Sequence, residues 1–194
     1  MTGGMAASIN PARLIMPALR SAALTGFAHE AGRIADTLEL GVGGYIIFGG
    51  PAESVRKLTA DLLRRAGRPL LLASDLERGA GQQVAGLTEF PPPMALASLR
   101  DPAVIRWAAS VTAQEARAVG INWVFAPVAD LDLSAENPIV QTRAFGADPK
   151  EVAGYVRQWV EGCQTAGALA CAKHYPGHGR TTVDSHVTLP VVEA

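Results

Sequence analysis

Residues 168–186 read ALACAKHYPGHGRTTVDSH. The first six, Ala168–Lys173, form a short apolar run that ends in a lysine followed at once by a histidine. The run is too short for a helix and reads as a buried parallel strand whose carboxyl end carries polar groups. From Lys173 to His186 the chain holds three of its four histidines together with one lysine and one aspartate. Reactive residues at the carboxyl end of a strand are the arrangement of a (β/α)8 barrel, where chemistry collects on that rim. The fold therefore turns on whether the rest of the chain repeats the pattern.

Working back from Ala168, four more runs of this kind occur, at Arg13–Leu19, Gly44–Phe48, Pro69–Ser74 and Ile121–Ala126. Segments of helical period separate them. Phe27, Ala31, Ile34, Ala35 and Leu38 keep a three-to-four spacing that Gly41 can close, and Val55, Leu58, Leu62 and Leu63 keep another that Gly67 and Pro69 close. Asp101-Pro102 and Asp148-Pro149 each place a capping acid before a proline at the first helical position. The helices so opened carry Val104, Ala108 and Val111, then Val152, Val156, Trp159 and Cys163. Pro91–Pro93 reads as one rigid stretch in the long connection from Asp75 to Asp101.

Such alternation means an α/β fold with a parallel sheet, either doubly wound and open or closed as a barrel. An open sheet would be favoured by a glycine loop opening the first helix, but Gly41-Val42-Gly43-Gly44 precedes a strand, and Gly79-Ala80-Gly81 is a lone GxG. Polar residues instead follow the strands: Asp75, Glu77 and Arg78, then Asp130 and Asp132, then Lys173 and His174. The barrel is the expected fold. Five strand–helix units can be counted against the eight of a full barrel of about 250 residues. The expectation is thus a (β/α)8 TIM-type barrel truncated after about five units, with residues 1–194 as the N-terminal portion of one domain. Unpaired strand edges in such a piece predict marginal stability or aggregation when it is isolated.

A formal charge of −1 offers no electrostatic footprint for nucleic acid or an anionic membrane. Cys163 and Cys171 are too few for a disulfide framework and read as buried small hydrophobes. The stretch Met1–Arg20 shows neither a secretory leader nor an apolar span of about 20 residues, so the expected compartment is the cytoplasm.

Asp184 and His186 are separated by one residue. In a turn the carboxylate can fold back onto the imidazole, fix its tautomer and aim the other nitrogen outward, which makes an oriented general acid–base. Lys173 and His174, at the end of an apolar strand, point to a ligand at the rim. His178, between Gly177 and Gly179, either shapes the loop or serves the site. A rival reading assembles His174, His178, His186 and Asp184 as ligands of a hydrolytic metal, but Pro176 and Gly177 oppose the helix that would bring His174 and His178 to one face. The expected site holds neither metal nor cofactor.

The segment KHYPGHGRTTVDSHVTLP closely resembles the signature of the family 3 glycoside hydrolases, and within them the bacterial β-N-acetylhexosaminidase branch. Ser74–Gln83 (SDLERGAGQQ), Thr88–Leu96, Asn122–Leu133 and Asn137–Pro149 match in order. The resemblance implies hydrolysis of terminal β-linked N-acetylhexosamine, from an oligosaccharide or cell-wall fragment, by a retaining double displacement. It gives His186 and Asp184 the acid–base role, and it makes Asp75, Arg143, Lys173 and His174 the residues that bind the sugar. It leaves Asp130 and Asp132 in a structural rim segment and puts the nucleophilic aspartate on a later strand. The chain departs from the branch at Leu76, Arg78, Ala80 and Gln83, which keeps a β-glucosidase specificity open. A metal-dependent hydrolase and a non-catalytic sugar-binding fragment are the alternatives from other classes. The 194-residue chain by itself is expected to lack hydrolytic activity; release of nitrophenol from an N-acetylglucosaminide would overturn that.

Overall fold

The computed structural model describes residues 10–192. The expectation about a leader falls in part on residues 1–9, which lie outside the described residues, as do Glu193 and Ala194. Five strands, β1 (Ala18–Arg20), β2 (Gly44–Phe48), β3 (Leu71–Ser74), β4 (Trp123–Val124) and β5 (Leu169–Ala170), pair in parallel in the order 1-2-3-4-5. A doubly wound sheet reverses its strand order at a switch point. Here every crossover steps the same way, as in the first five units of an α/β barrel, and the open-sheet alternative falls.

The helices are α1 (Ala31–Leu40), α2 (Ala52–Ala66), α3 (Pro93–Ala97), α4 (Pro102–Ala118) and α5 (Pro149–Thr165). Gly41 and Gly67 cap α1 and α2 in left-handed conformations. Asp101 accepts from the amide of Ala103, and Asp148 accepts from those of Lys150 and Glu151, so both capping acids act as the sequence implies. Leu19, Tyr45, Ile47, Leu72 and Val124 form the centre of the core. Burial pushes the Tyr45 phenol up, and its hydroxyl finds Thr37 Oγ1 at 2.8 Å.

Several details differ from the sequence reading. The first run does not begin as a strand: Asn10 accepts from the amide of Ala12 and Pro11 opens a 3-10 turn over Pro11–Leu14, so the ladder starts only at Ala18. The fourth run forms a regular ladder only at Trp123–Val124. Before it, the Asn122 side chain accepts from Leu72 N and donates to Leu70 O, both at 2.9 Å, standing in for backbone between β3 and β4. After it, Pro127 brings no amide donor. Leu63 is exposed, and Thr59 takes the inner position on α2, its hydroxyl donating to Val119 O at 2.8 Å. On α4 the buried stripe runs through Ile105, Ala109, Thr112 and Ala116, with Val104 and Val111 half-buried beside it. Pro93 sits at the first position of α3 rather than within a stiff linker. Cys163 is buried, which pushes its thiol up to about 12, whereas Cys171 is only half-buried because β5 is an edge strand of the described sheet.

Helix α5 lies close against α4 at Gly162, where an added Cβ would stand 2.3 Å from Arg106 O and 3.1 Å from Ala109 Cβ. Gly154 on the same helix has nothing within 4 Å of that position. The same substitution should therefore have opposite signs at the two sites. Gly162→Ala should destabilise by about 1–3 kcal/mol through overpacking. Gly154→Ala should stabilise by about 0.5–1 kcal/mol through helix propensity. Urea unfolding of the two variants checks both.

Candidate active site

The carboxyl ends of β3, β4 and β5 surround a cleft of about 560 Å3, within the range of small-molecule sites. Asp75 follows β3 directly and Glu77 comes two residues later, while Lys173 and His174 extend the line of β5. Arg143 enters from a 3-10 turn, Gln141–Arg143, in the long connection from β4 to α5. Lys173 Nζ lies 2.6 Å from Asp75 Oδ1 and 2.7 Å from Glu77 Oε1. Arg143 grips Glu77 with both arms, Nε donating to Oε2 at 2.9 Å and Nη2 to Oε1 at 2.8 Å. Two acids and two cations thus form one chain of contacts on the floor of the cleft. Burial pushes the Glu77 carboxyl up, but the Arg143 hydrogen bonds and the charge of Lys173 outweigh it and leave the group below its usual range. Arg143 is correspondingly raised, by Glu77 above all.

The second construction is the loop after β5. Asp130, nearly fully buried, accepts from His174 Nδ1 at 2.5 Å, from the His174 amide at 3.3 Å and from the His178 amide at 2.6 Å. Burial raises the Asp130 carboxyl, yet these bonds hold it below the ordinary aspartate value. The turn at Gly177 has φ +114°, and a Cβ there would stand 3.1 Å from Asp130 Oδ1, so a side chain would be strained and would press on the anchor. The His178 carbonyl accepts from Asn137 Nδ2 at 2.6 Å and from Thr181 Oγ1 at 2.9 Å. Asn137 Oδ1 in turn accepts from the amides of Ile139 and Val140 at 2.8 Å each, tying the Arg143 segment to the histidine loop. The backbone of His178 does shape the loop; its Nδ1 is buried with no partner, and its ring meets that of His174 edge-on at 5.1 Å.

At the mouth of the cleft Asp184 folds back on His186. Asp184 Oδ1 accepts from the His186 amide at 2.8 Å and lies 2.7 Å from His186 Nδ1, which leaves Nε2 as the unengaged ring nitrogen. The backbone and side-chain bonds of His186 hold the Asp184 carboxyl below its usual range. All four groups expected to bind sugar, Asp75, Arg143, Lys173 and His174, line one cleft with His186, and Asp184 stands behind that histidine. Among the described residues no group of three or more His, Cys, Asp or Glu side chains is disposed to hold a metal ion, and no helix is long and apolar enough to cross a membrane.

The sequence reading missed three residues on which the site depends. Glu77 was visible as a polar group after β3, and its i,i+2 spacing from Asp75 was the available signal. Asp130 falls in the segment that the resemblance assigns to a structural rim, and within it Asp130 anchors the histidine loop. Nothing in the local sequence marked Asn137 as the bridge between the two loops.

Glu77 and Asp130 both have folded-state pKa values below their unfolded ones. Their stabilisation is therefore fully present above the ordinary carboxylate range and is lost as pH falls through the lowered values. Glu77→Gln should cost about 2–4 kcal/mol near pH 7, less than a fully buried pair because Arg143 is a third exposed. The variant should also lose part of the acid-side slope below about pH 4.5. Urea midpoints from pH 7 down to 3 for both proteins check the magnitude and the slope.

Comparison with known proteins gives a consistent grouping. The chain matches the family model described as glycosyl hydrolase family 3 N terminal domain over residues 22–194. A Cellulomonas fimi protein named beta-N-acetylglucosaminidase/beta-glucosidase is 42% identical over 155 residues, which cover 80% of this chain and 28% of that protein. A beta-hexosaminidase of Bordetella avium is 40% identical over 161 residues, 77% of this chain and 46% of the relative. The solved structure of a family 3 β-N-acetylglucosaminidase from Paenibacillus superposes with a TM-score of 0.82 at 34% identity, covering 94% of this chain and 35% of that one. The chain spans less than half the length of each of these proteins.

Proposed function

Because the chain belongs to family 3 of the glycosyl hydrolases, we propose that its cleft binds the terminal, non-reducing β-linked N-acetylhexosamine of an oligosaccharide or cell-wall fragment and that the protein hydrolyses that linkage with retention. The observation that carries the proposal is the His186–Asp184 pair, with Nδ1 and Oδ1 2.7 Å apart, at the mouth of a cleft floored by fixed charges. Asp75, Arg143, Lys173 and His174 grip the sugar hydroxyls. Asp184 holds His186 Nδ1, so Nε2 gives a proton to the departing glycosidic oxygen and, in the second half-reaction, takes one from the attacking water. Retention needs a carboxylate on the opposite face of the anomeric carbon. Asp75 and Glu77 are both engaged by cations, and the resemblance assigns the nucleophile to a strand after the fifth. Relatives named beta-hexosaminidase support the amino sugar, and we propose the cytoplasm as the compartment.

A second sugar specificity has an observation behind it, since the Cellulomonas fimi relative is named for both N-acetylglucosaminidase and β-glucosidase. Comparing kcat/KM on the 4-nitrophenyl β-glycosides of N-acetylglucosamine and glucose decides between them, and the higher value is expected for the amino sugar.

His186→Ala, in the whole protein carrying this chain, tests the proton role. The loss in kcat/KM should be about 10^2–10^4-fold on a disaccharide of N-acetylglucosamine, whose leaving alcohol needs the proton. It should be much smaller on the 4-nitrophenyl glycoside, whose phenolate leaves without one. An equal loss on both substrates counts against His186 as the acid.

A further inference from the structure

Two residues outside the cleft are poor choices for the backbone that carries them. Gly154 lies within helix α5, where glycine is less favourable than alanine, yet nothing stands within 4 Å of the position a Cβ would take. Gly162 on the same helix is needed for the close approach to α4, and Gly154 serves no such contact. Arg100 has φ +54°, the left-handed conformation that suits glycine, and its amide is pinned there by a 2.9 Å bond to Ala97 O. Both residues line one cavity of about 680 Å3 among α3, the start of α4 and the first half of α5. Departures from local preference of this kind mark places where a structure serves something besides its own stability.

The cavity is separate from the cleft, although the two share walls. Pro92 and Arg143 line the cleft, and Met94 and Phe145, two residues further along each segment, line the second cavity. Phe145 is buried, and its ring lies 5.6 Å from that of Tyr155. The Tyr155 hydroxyl donates to Ala97 O at 3.3 Å, the same carbonyl that receives the Arg100 amide, so its ring is fixed as an apolar floor. Arg100, Lys150 and Arg157 stand exposed around it against one acid, Glu151, which leaves two cations in excess. Among the described residues none of the three forms an ion pair, whereas Arg106 on α4 is held by Glu161 at 3.1 Å. Lys150 and Arg157 are two turns apart on one face of α5, and Gly154 leaves the space between them open. The helix ends are not the attraction: Asp148 takes the amides of Lys150 and Glu151, Asp101 takes that of Ala103, and neither aspartate lines the cavity.

We propose that this cavity is a second binding site, for a small organic phosphate that carries an apolar ring. The ring lies on Phe145 and Tyr155 in the gap at Gly154, and the phosphate is met by Arg100, Lys150 and Arg157. Each arginine can meet phosphate oxygens with two parallel bonds, and the lysine adds a point charge. The three like charges repel one another across the cavity, and a dianion relieves that repulsion. Its occupancy does not depend on the hydrolase reading. The affinity falls as salt rises, since the cations are exposed.

Calorimetric titration of the whole protein carrying this chain tests the site with phenyl phosphate, inorganic phosphate and phenol. Phenyl phosphate should bind with a Kd below about 1 mM at low ionic strength, at least about tenfold more tightly than inorganic phosphate or phenol. Gly154→Glu fills the gap and places a carboxylate between Lys150 and Arg157, so it should abolish binding. Its urea midpoint should not fall, because glutamate is a better helix residue than glycine. Arg100→Gln and Arg157→Gln, at exposed positions, should each weaken binding by about three- to tenfold. No binding of phenyl phosphate, equal affinity for inorganic phosphate, or binding that survives Gly154→Glu overturns the proposal. If the Gly154→Glu midpoint falls, the two arginine variants decide, and undiminished binding in both overturns it as well.

Discussion

The carboxylate of Asp130 is the point on which the histidine loop turns. It sits where β4 has ended, nearly sealed from solvent, and receives three N–H groups, two from His174 and one from His178. A buried carboxylate without such donors would be strongly disfavoured, and with them it becomes a template. Its two oxygens set the ring orientation of His174 and the backbone position of His178, and the lack of a side chain at Gly177 allows the chain to pass. The PGHG sequence is thus explained less by its histidine ring than by the path the backbone must take around one acid. Asn137 relays the same constraint to the Arg143 loop through the His178 carbonyl.

The floor of the cleft follows a different logic. Glu77 is almost wholly buried, and its ionised form survives because Arg143 and Lys173 both reach it. Exchanging these four charges for apolar residues would stabilise many proteins. In a cleft open to solvent at its mouth, the network instead gives donors and acceptors that are already oriented before a ligand enters. A polyhydroxylated ligand can then exchange hydrogen bonds with fixed partners without first ordering long side chains. Lys173 and Arg143 are each held by a carboxylate in the resting protein, so their positions precede any contact with a sugar.

The alternation of apolar runs and helical periods was legible because it is local: each strand, cap and amphipathic face is written within a few residues. The aspartates before Pro102 and Pro149 and the glycine at 41 act as their neighbours predict. The start of β1 was not legible, since an asparagine cap and a proline outweighed the apolar character of Leu14 and Ile15. The site was legible where its residues cluster in sequence, from Lys173 to His186. It was not legible where partners come from distant segments. Glu77 meets Arg143 across 66 positions and Asp130 meets His174 across 44, and no periodicity encodes such a pairing. The role of Asn137 depends on a carbonyl 41 residues away, on a loop whose course is itself set by Asp130.

These contacts divide the cleft by depth, and the division suits two demands that the proposed hydrolysis makes. Groups that recognise a terminal sugar need fixed positions, and three of those proposed for that task, Asp75, Arg143 and Lys173, lie low and are cross-braced through Glu77 and one another. A group that moves a proton must reach the leaving oxygen and exchange with solvent between half-reactions. His186, proposed for that role, stands at the mouth and is held by its own turn and Asp184. The segment after β3 supplies Asp75, Glu77 and Arg78 to the lining of the same cleft. The Glu77 carboxylate is held from other segments of the chain, by Arg143 and Lys173, so its position does not depend on the conformation of its own loop alone.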